Sequence, residues 1–209
     1  MPEPKFRRRK TARPGEIAAA ALQVFAEKGF AAARLDDIAA RAGVSKGAIY
    51  LYFETKEDVF RAVVEQTIAP NLAAVRAMIA AHPGPFSALV ETVAGRVAEI
   101  VGQSRIGGVA KMVIGEAGNF PELARIWHDR VVSLMLEAVA QAIAAAQARG
   151  EVRPGDPRAY ALQMIAPIVV AVIWRETFVP VGGEAFDLPA LVRQHAATLL
   201  TGLSAETRP

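Results

Sequence analysis

Along most of the chain apolar residues recur every three or four positions, the spacing that gathers them on one side of an α-helix. After Pro14 and Gly15, the residues Ile17, Ala21, Val24 and Phe25 share a face, and Gly29 follows Lys28 as a stop. A second short segment, from about Leu35 to Ala42, aligns Leu35, Ile38, Ala39 and Ala42, with Asp36 and Asp37 in its positive first turn and Gly43 ending it. Ser45 is a good N-cap for a third segment, which keeps Ile49 and Phe53 four apart for the core. Two short helices joined by Gly43, Val44 and Ser45 predict a helix-turn-helix. Thr55 then caps a fourth helix, with Asp58 at the capping-box position and Val59, Phe60, Val63, Val64 and Ile68 on its buried side.

Beyond it, Pro83-Gly84-Pro85, Gly107-Gly108, Gly118 to Pro121, Gly150 to Pro157 and Pro180 to Gly183 punctuate four or five further helical stretches. The last two long helices, about Pro157 to Phe178 and Leu188 to Leu203, carry apolar residues over more than one face, which predicts a partner and, most simply, a homodimer. The apolar stretch Ala161 to Trp174 contains Gln163 and Pro167 and falls short of the roughly 20 residues of a spanning helix, so a buried or interface helix is expected and no membrane association. Met1 to Lys10 is basic but no apolar segment follows it, so no secretory signal is read there.

Composition agrees with an all-α fold: 53% of residues are hydrophobic but only 7% aromatic, and alanine is abundant. The absence of cysteine removes thiolate nucleophiles and thiolate metal sites and fits the cytoplasm. Net charge is only +3, yet residues 1–13 alone hold +5, residues 14–56 are neutral and the remainder holds −2. The expected organisation is therefore a basic arm (1–13), a helix-turn-helix domain (14–55) and a larger helical domain (56–209) that carries the dimerising helices.

The recognition helix is expected over Ser45 to Tyr52. On its exposed face Lys46 can reach phosphates or guanine acceptors, Gly47 and Ala48 let backbones approach, and Tyr50 and Tyr52 can hydrogen-bond phosphates or stack on sugars, with Tyr50 partly in the core. Lys56 is placed to clamp a phosphate beside the amides that open the fourth helix. Arg7, Arg8 and Arg9 either lie in a minor groove or form a solvated tail.

The ordered combination Phe25, Gly29-Phe30, Asp37-Ile38-Ala39, Ala42-Gly43-Val44-Ser45, Tyr50, Tyr52-Phe53 and Lys56-Glu57 resembles the N-terminal domain of the TetR family of bacterial repressors, over roughly Ile17 to Phe60. The resemblance implies a homodimer that binds double-stranded DNA at a palindromic operator. The last two helices would pair with the partner's in a four-helix bundle, and a small molecule entering the body would change the spacing of the recognition helices and release DNA. One departure stands out: the family usually has Thr or Ser capping the second helix, where this chain has Ala33 and Arg34. Losing the cap oxygen costs about 1 kcal/mol, while Arg34 adds a cation near the DNA backbone.

In the larger domain, Met112, Phe120, Trp127, Met135, Trp174 and Phe178 are candidates to wall an apolar effector cavity, since large flexible or flat side chains suit irregular ligands. His128 is a candidate for a polar contact with the effector, and Glu116 and Arg175 for orienting a polar group if buried. His82, His128 and His195 form no metal-binding spacing, and no nucleophile with its base or phosphate-binding loop is visible, so neither cofactor nor enzyme activity is expected. The leading expectation is a ligand-released repressor. The alternative is a constitutive architectural DNA binder of the same fold with a protein partner in place of the ligand.

Overall fold

The computed structural model describes residues 14–103 and 105–204. They form an all-α protein of eleven helices. Four make up the N-terminal region: α1 (Pro14–Ala32), α2 (Leu35–Ala42), α3 (Lys46–Tyr50) and α4 (Lys56–Val63). Then come α5 (Ala69–Ala81), α6 (Phe86–Gln103), α7 (Ile106–Glu116), α8 (Pro121–Trp127), α9 (Ser133–Ala148), α10 (Pro157–Thr177) and α11 (Leu188–Leu203). Single π-helical turns at Val64–Ile68 and His128–Val132 join α4 to α5 and α8 to α9. The extended pairing among the described residues is one isolated antiparallel bridge between Val152 and Ser204.

Local signals fix most N-terminal boundaries. Thr55 and Asp58 make a reciprocal capping box: Thr55 Oγ1 accepts from the Asp58 amide at 3.1 Å and Asp58 Oδ2 accepts from the Thr55 amide at 3.0 Å. Gly29, at φ 77 and ψ 172, breaks the helical path inside α1, so that residues 30–32 form a separate turn. The recognition helix is shorter than expected, ending at Tyr50, with Leu51 and Tyr52 in a turn.

Two apolar cores organise the molecule. In the first, Phe25, Phe30 and Phe60 pack edge to face or tilted, with ring centroids 5.4 to 6.2 Å apart. Val109, Met112 and Val113 of α7 and Leu123 and Ile126 of α8 join the same core, so the helix-turn-helix shares its interior with part of the larger domain. The second core is built from α6, α9, α10 and α11, around Phe86, Val90, Ile143, Ala161 and Val192.

Gly107 and Gly108 explain why α7 sits between these cores. A Cβ at Gly108 would lie 2.9 Å from Ala26 Cβ of α1, and one at Gly107 would run into Val172 of α10. Only glycine permits α7 to touch both helices this closely. α10 is buried only at Ala161, Ala171 and Val172. Leu162, Val169 and Val170 are 56%, 37% and 61% exposed, and by length and composition alone residues 157–181 could cross a membrane.

Candidate DNA interface and effector cavity

Ser45 opens α3, its Oγ accepting from the Ala48 amide at 3.2 Å. Lys46, Gly47 and Tyr50 are exposed on the outer side of that helix, and Tyr52 is exposed in the turn after it. A Cβ at Gly47 would meet nothing within 4 Å, so this point of the surface is open to a close neighbour. Two expectations need correcting. Ala48 does not belong to the exposed face: it is only 9% exposed and turns inward beside Ile49. Tyr50 is 50% exposed rather than partly in the core, because Ile49 already fills the inward position of this single-turn helix.

Lys46 Nζ pairs with Asp36 Oδ2 at 3.0 Å, and that hydrogen bond, followed by the charge of Asp36, raises its pKa. The ammonium therefore stays charged. Both partners are exposed, so a phosphate can compete for Lys46. Arg34 is exposed at the N-cap of α2 and its side chain caps nothing; instead Asp37 Oδ2 accepts from the Arg34 amide at 3.2 Å. Asp37 also pairs with Lys28 at 2.8 Å, which ties α1 to α2. Arg7, Arg8 and Arg9 lie outside the described residues.

Lys56 is not the free phosphate clamp expected from its position. Its Nζ donates to the carbonyls of Phe30, Ala31 and Ala33, and sits 4.3 Å from the centre of the Phe30 ring. Burial pulls its pKa below the ordinary lysine value, opposed by the charges of Glu57 and Glu116. An ammonium has three protons, and all three are committed to the turn that follows Gly29.

Glu116 holds the same turn from the other side. Its Oε1 accepts from the Phe30 amide and its Oε2 from the Ala31 amide, each at 2.7 Å. A Cβ at Gly29 would come within 2.5 Å of Oε1. The corner Gly29 to Ala33 is thus clamped by a carboxylate from α7 on its amides and an ammonium from α4 on its carbonyls. Glu116, expected to orient an effector, instead joins α7 to α1.

The apolar cavity lies elsewhere than expected. It measures about 90 Å³ and is lined from α6, α9, α10 and α11 by residues that include Val93, Met135, Met164, Ile168, Val192 and His195, with Ile79 of α5 at its edge. Of the anticipated wall residues only Met135 faces it. Met112, Phe120 and Trp127 pack on the first core, because α7 and α8 are drawn onto α1 and α4. Trp174 and Phe178 form a separate aromatic group with Phe186, where Trp174 Nε1 donates to the Glu184 carbonyl. His128 is exposed, 2.8 Å from Asp129, and Arg175 donates to the Val101 carbonyl at 2.6 Å. His195, which the sequence singles out for no effector role, lines this cavity. Its Nε2 donates to the Met164 carbonyl at 3.1 Å, which leaves a polar ring on an otherwise apolar wall.

A short capped helix presenting a cation, an exposed glycine and two tyrosines, joined through a shared core to a larger helical body with a cavity, is the arrangement of a DNA-binding regulator of the helix-turn-helix class. The comparisons with known proteins make this specific. Residues 17–63 match the model of bacterial regulatory proteins of the tetR family, and residues 87–198 match that of the AefR-like transcriptional repressor C-terminal domain. The chain belongs to the TetR family of transcriptional regulators.

Among its relatives, the transcriptional activator FasR of Mycolicibacterium smegmatis is 39% identical over 64 residues, 31% of this chain and 29% of that protein. The transcriptional repressor BepR of Brucella suis is 37% identical over 78 residues, 37% of each chain. These matches span about a third of the relatives' length. The structure of the regulator FadR from Bacillus subtilis in complex with stearoyl-CoA superposes with a TM-score of 0.73 at 22% identity, covering 91% of this chain and all of that one, which shows the shared fold.

Proposed function

We propose that this protein is a transcriptional repressor that binds a palindromic operator as a homodimer and is released by a small apolar or amphipathic effector. The observation that carries the DNA-binding reading is α3: Lys46, Gly47 and Tyr50 stand outward on a capped helix, and none of the described residues lies within 4 Å of a Cβ built at Gly47. Ser45, Tyr52 and Arg34 flank them as phosphate-contacting candidates, with Arg7, Arg8 and Arg9 as arm contacts. Ala48 serves by its small size beneath that surface.

The stripe Leu162, Val169 and Val170 on α10, beside the small outward residues Ala197, Thr198, Thr201 and Gly202 of α11, is the proposed dimer surface. Residues 14–55 supply the DNA reader and the region from residue 56 the sensor. The apolar cavity favours a ligand-responsive regulator over an architectural binder, whose body needs no empty space. It is smaller than the roughly 150 Å³ that admits a benzene ring, so it suits a few methylenes or the tip of a chain. A DNA-binding role is in keeping with a cytoplasmic protein.

Transcription in vitro from a promoter carrying the recovered operator tests the sign. Repression by the protein, relieved by effector, is expected; stimulation by the protein alone would replace repressor with activator.

A further inference from the structure

A second depression opens on the outer side of the body between α5 and α9, at the turn of residues 82–84. It measures about 670 Å³, and Ile79, Leu89 and Ala142 border both it and the apolar cavity. Its rim differs in chemistry from the cavity. Arg76 and Arg149 line it, and among the described residues no aspartate or glutamate does. Arg76 is exposed and has no hydrogen-bond or ion-pair partner among the described residues.

Arg149 is anchored: its Nε and Nη2 donate to Glu151, which leaves Nη1 free. Glu151 is itself fixed, since its Oε2 accepts from the Phe86 amide. His82 lines the same rim, and its buried Nε2 has no hydrogen-bond partner among the described residues.

We propose that this groove is the headgroup half of the effector site, and that the effector is a single-chain amphiphile with an anionic head. The head lies at Arg76 and Arg149 and the chain passes between Ile79, Leu89 and Ala142 into the apolar cavity. This rests on the reading of the body as an effector-binding domain. Arg76, unpaired among the described residues, and the open Nη1 of Arg149, whose Nε and Nη2 are held by Glu151, select an anion over a neutral or cationic head, and the shared border gives the chain a dry place to end. A carboxylate, sulfate or phosphate head meets the same requirement.

Titration calorimetry of the full-length protein with decanoate, decan-1-ol and decyltrimethylammonium, each below its micelle concentration, tests this. Decanoate is expected to bind at least tenfold more tightly than decan-1-ol, and decyltrimethylammonium not at all. Arg76→Gln with Arg149→Gln is expected to erase the difference while leaving decan-1-ol affinity unchanged. Val93→Phe, or Ala142→Leu should that variant not fold, is expected to weaken both decanoate and decan-1-ol about tenfold.

Equal binding of decanoate and decan-1-ol, untouched by the arginine substitutions, would overturn the headgroup assignment and leave the cavity reading standing. Decanoate binding insensitive to Val93→Phe and Ala142→Leu would overturn the placement of the chain. Binding of none of the three would overturn the amphiphile proposal, whereas failure of the effector reading itself would show as an operator complex that no small molecule releases.

Discussion

Replacing Gly29 with alanine probes the clamp that joins the DNA-reading helices to the body. At φ 77 and ψ 172 the residue occupies a region of backbone space reserved almost entirely for glycine, where an L side chain costs on the order of 1–3 kcal/mol. The new Cβ would also lie 2.5 Å from Glu116 Oε1, so the carboxylate must retreat from the Phe30 or the Ala31 amide. A hydrogen bond to a charged group contributes about 1.5–3 kcal/mol. Together these give a loss of roughly 2.5–6 kcal/mol, a large part of the 5–15 kcal/mol that holds a typical domain. Urea denaturation followed by circular dichroism reads it directly, and a fall in Tm of about 5–24 °C should accompany it. Gly29→Ala combined with Glu116→Ala should be less destabilised than the two single losses added, because the collision is then absent. A Gly29→Ala midpoint within about 0.5 kcal/mol of wild type would refute the reasoning.

Four other predictions concern different parts of the molecule. Thr55→Ala removes the α4 cap and should cost about 1 kcal/mol. The hydrogen bond from Thr55 is the largest cause lowering the pKa of Asp58 from 3.8, so that stabilisation should be complete above pH 3.8 and fade as pH falls through the lowered native value, as denaturation at a series of pH values would show. Lys56→Met should destabilise the fold by about 1–3 kcal/mol without altering the salt slope of DNA binding. Lys46→Ala should leave the denaturation midpoint in place and reduce that slope by about 0.9; anisotropy titrations at several salt concentrations distinguish the two lysines. Val170→Glu on the exposed stripe of α10 should convert dimer to monomer in sedimentation, and an unchanged sedimentation coefficient would place the dimer surface elsewhere.

The helix-turn-helix was legible in the sequence because short-range chemistry dictates it. Ser45, Thr55 with Asp58, and the glycine at position 43 act on backbone groups two to four residues away, and the apolar spacing of Ile17 to Phe25 needs no knowledge of the partner helix. Lys56 and Glu116 were misjudged because their partners are distant in the chain: the carbonyls bound by Lys56 precede it by 23 to 26 residues, and the amides held by Glu116 by 85 and 86. The cavity was the least legible part. Met112 and Met135 look alike in the sequence, and only the approach of α7 to α1 through Gly108 sends one to the first core while the other faces the cavity. His195 carries no local mark at all; it matters because α11 folds against α6 and α10 and brings the ring onto an apolar wall.

The most direct test of DNA recognition by α3 is to incubate the purified protein with fragmented DNA from its source genome at near-physiological salt and to sequence what it retains, with Lys46→Ala and Tyr50→Ala variants in parallel. Enrichment of one or a few palindromes by the wild-type protein, lost or weakened in both variants, is predicted. Uniform retention that disappears as salt rises, equal in all three proteins, would mean phosphate attraction without recognition and would contradict it.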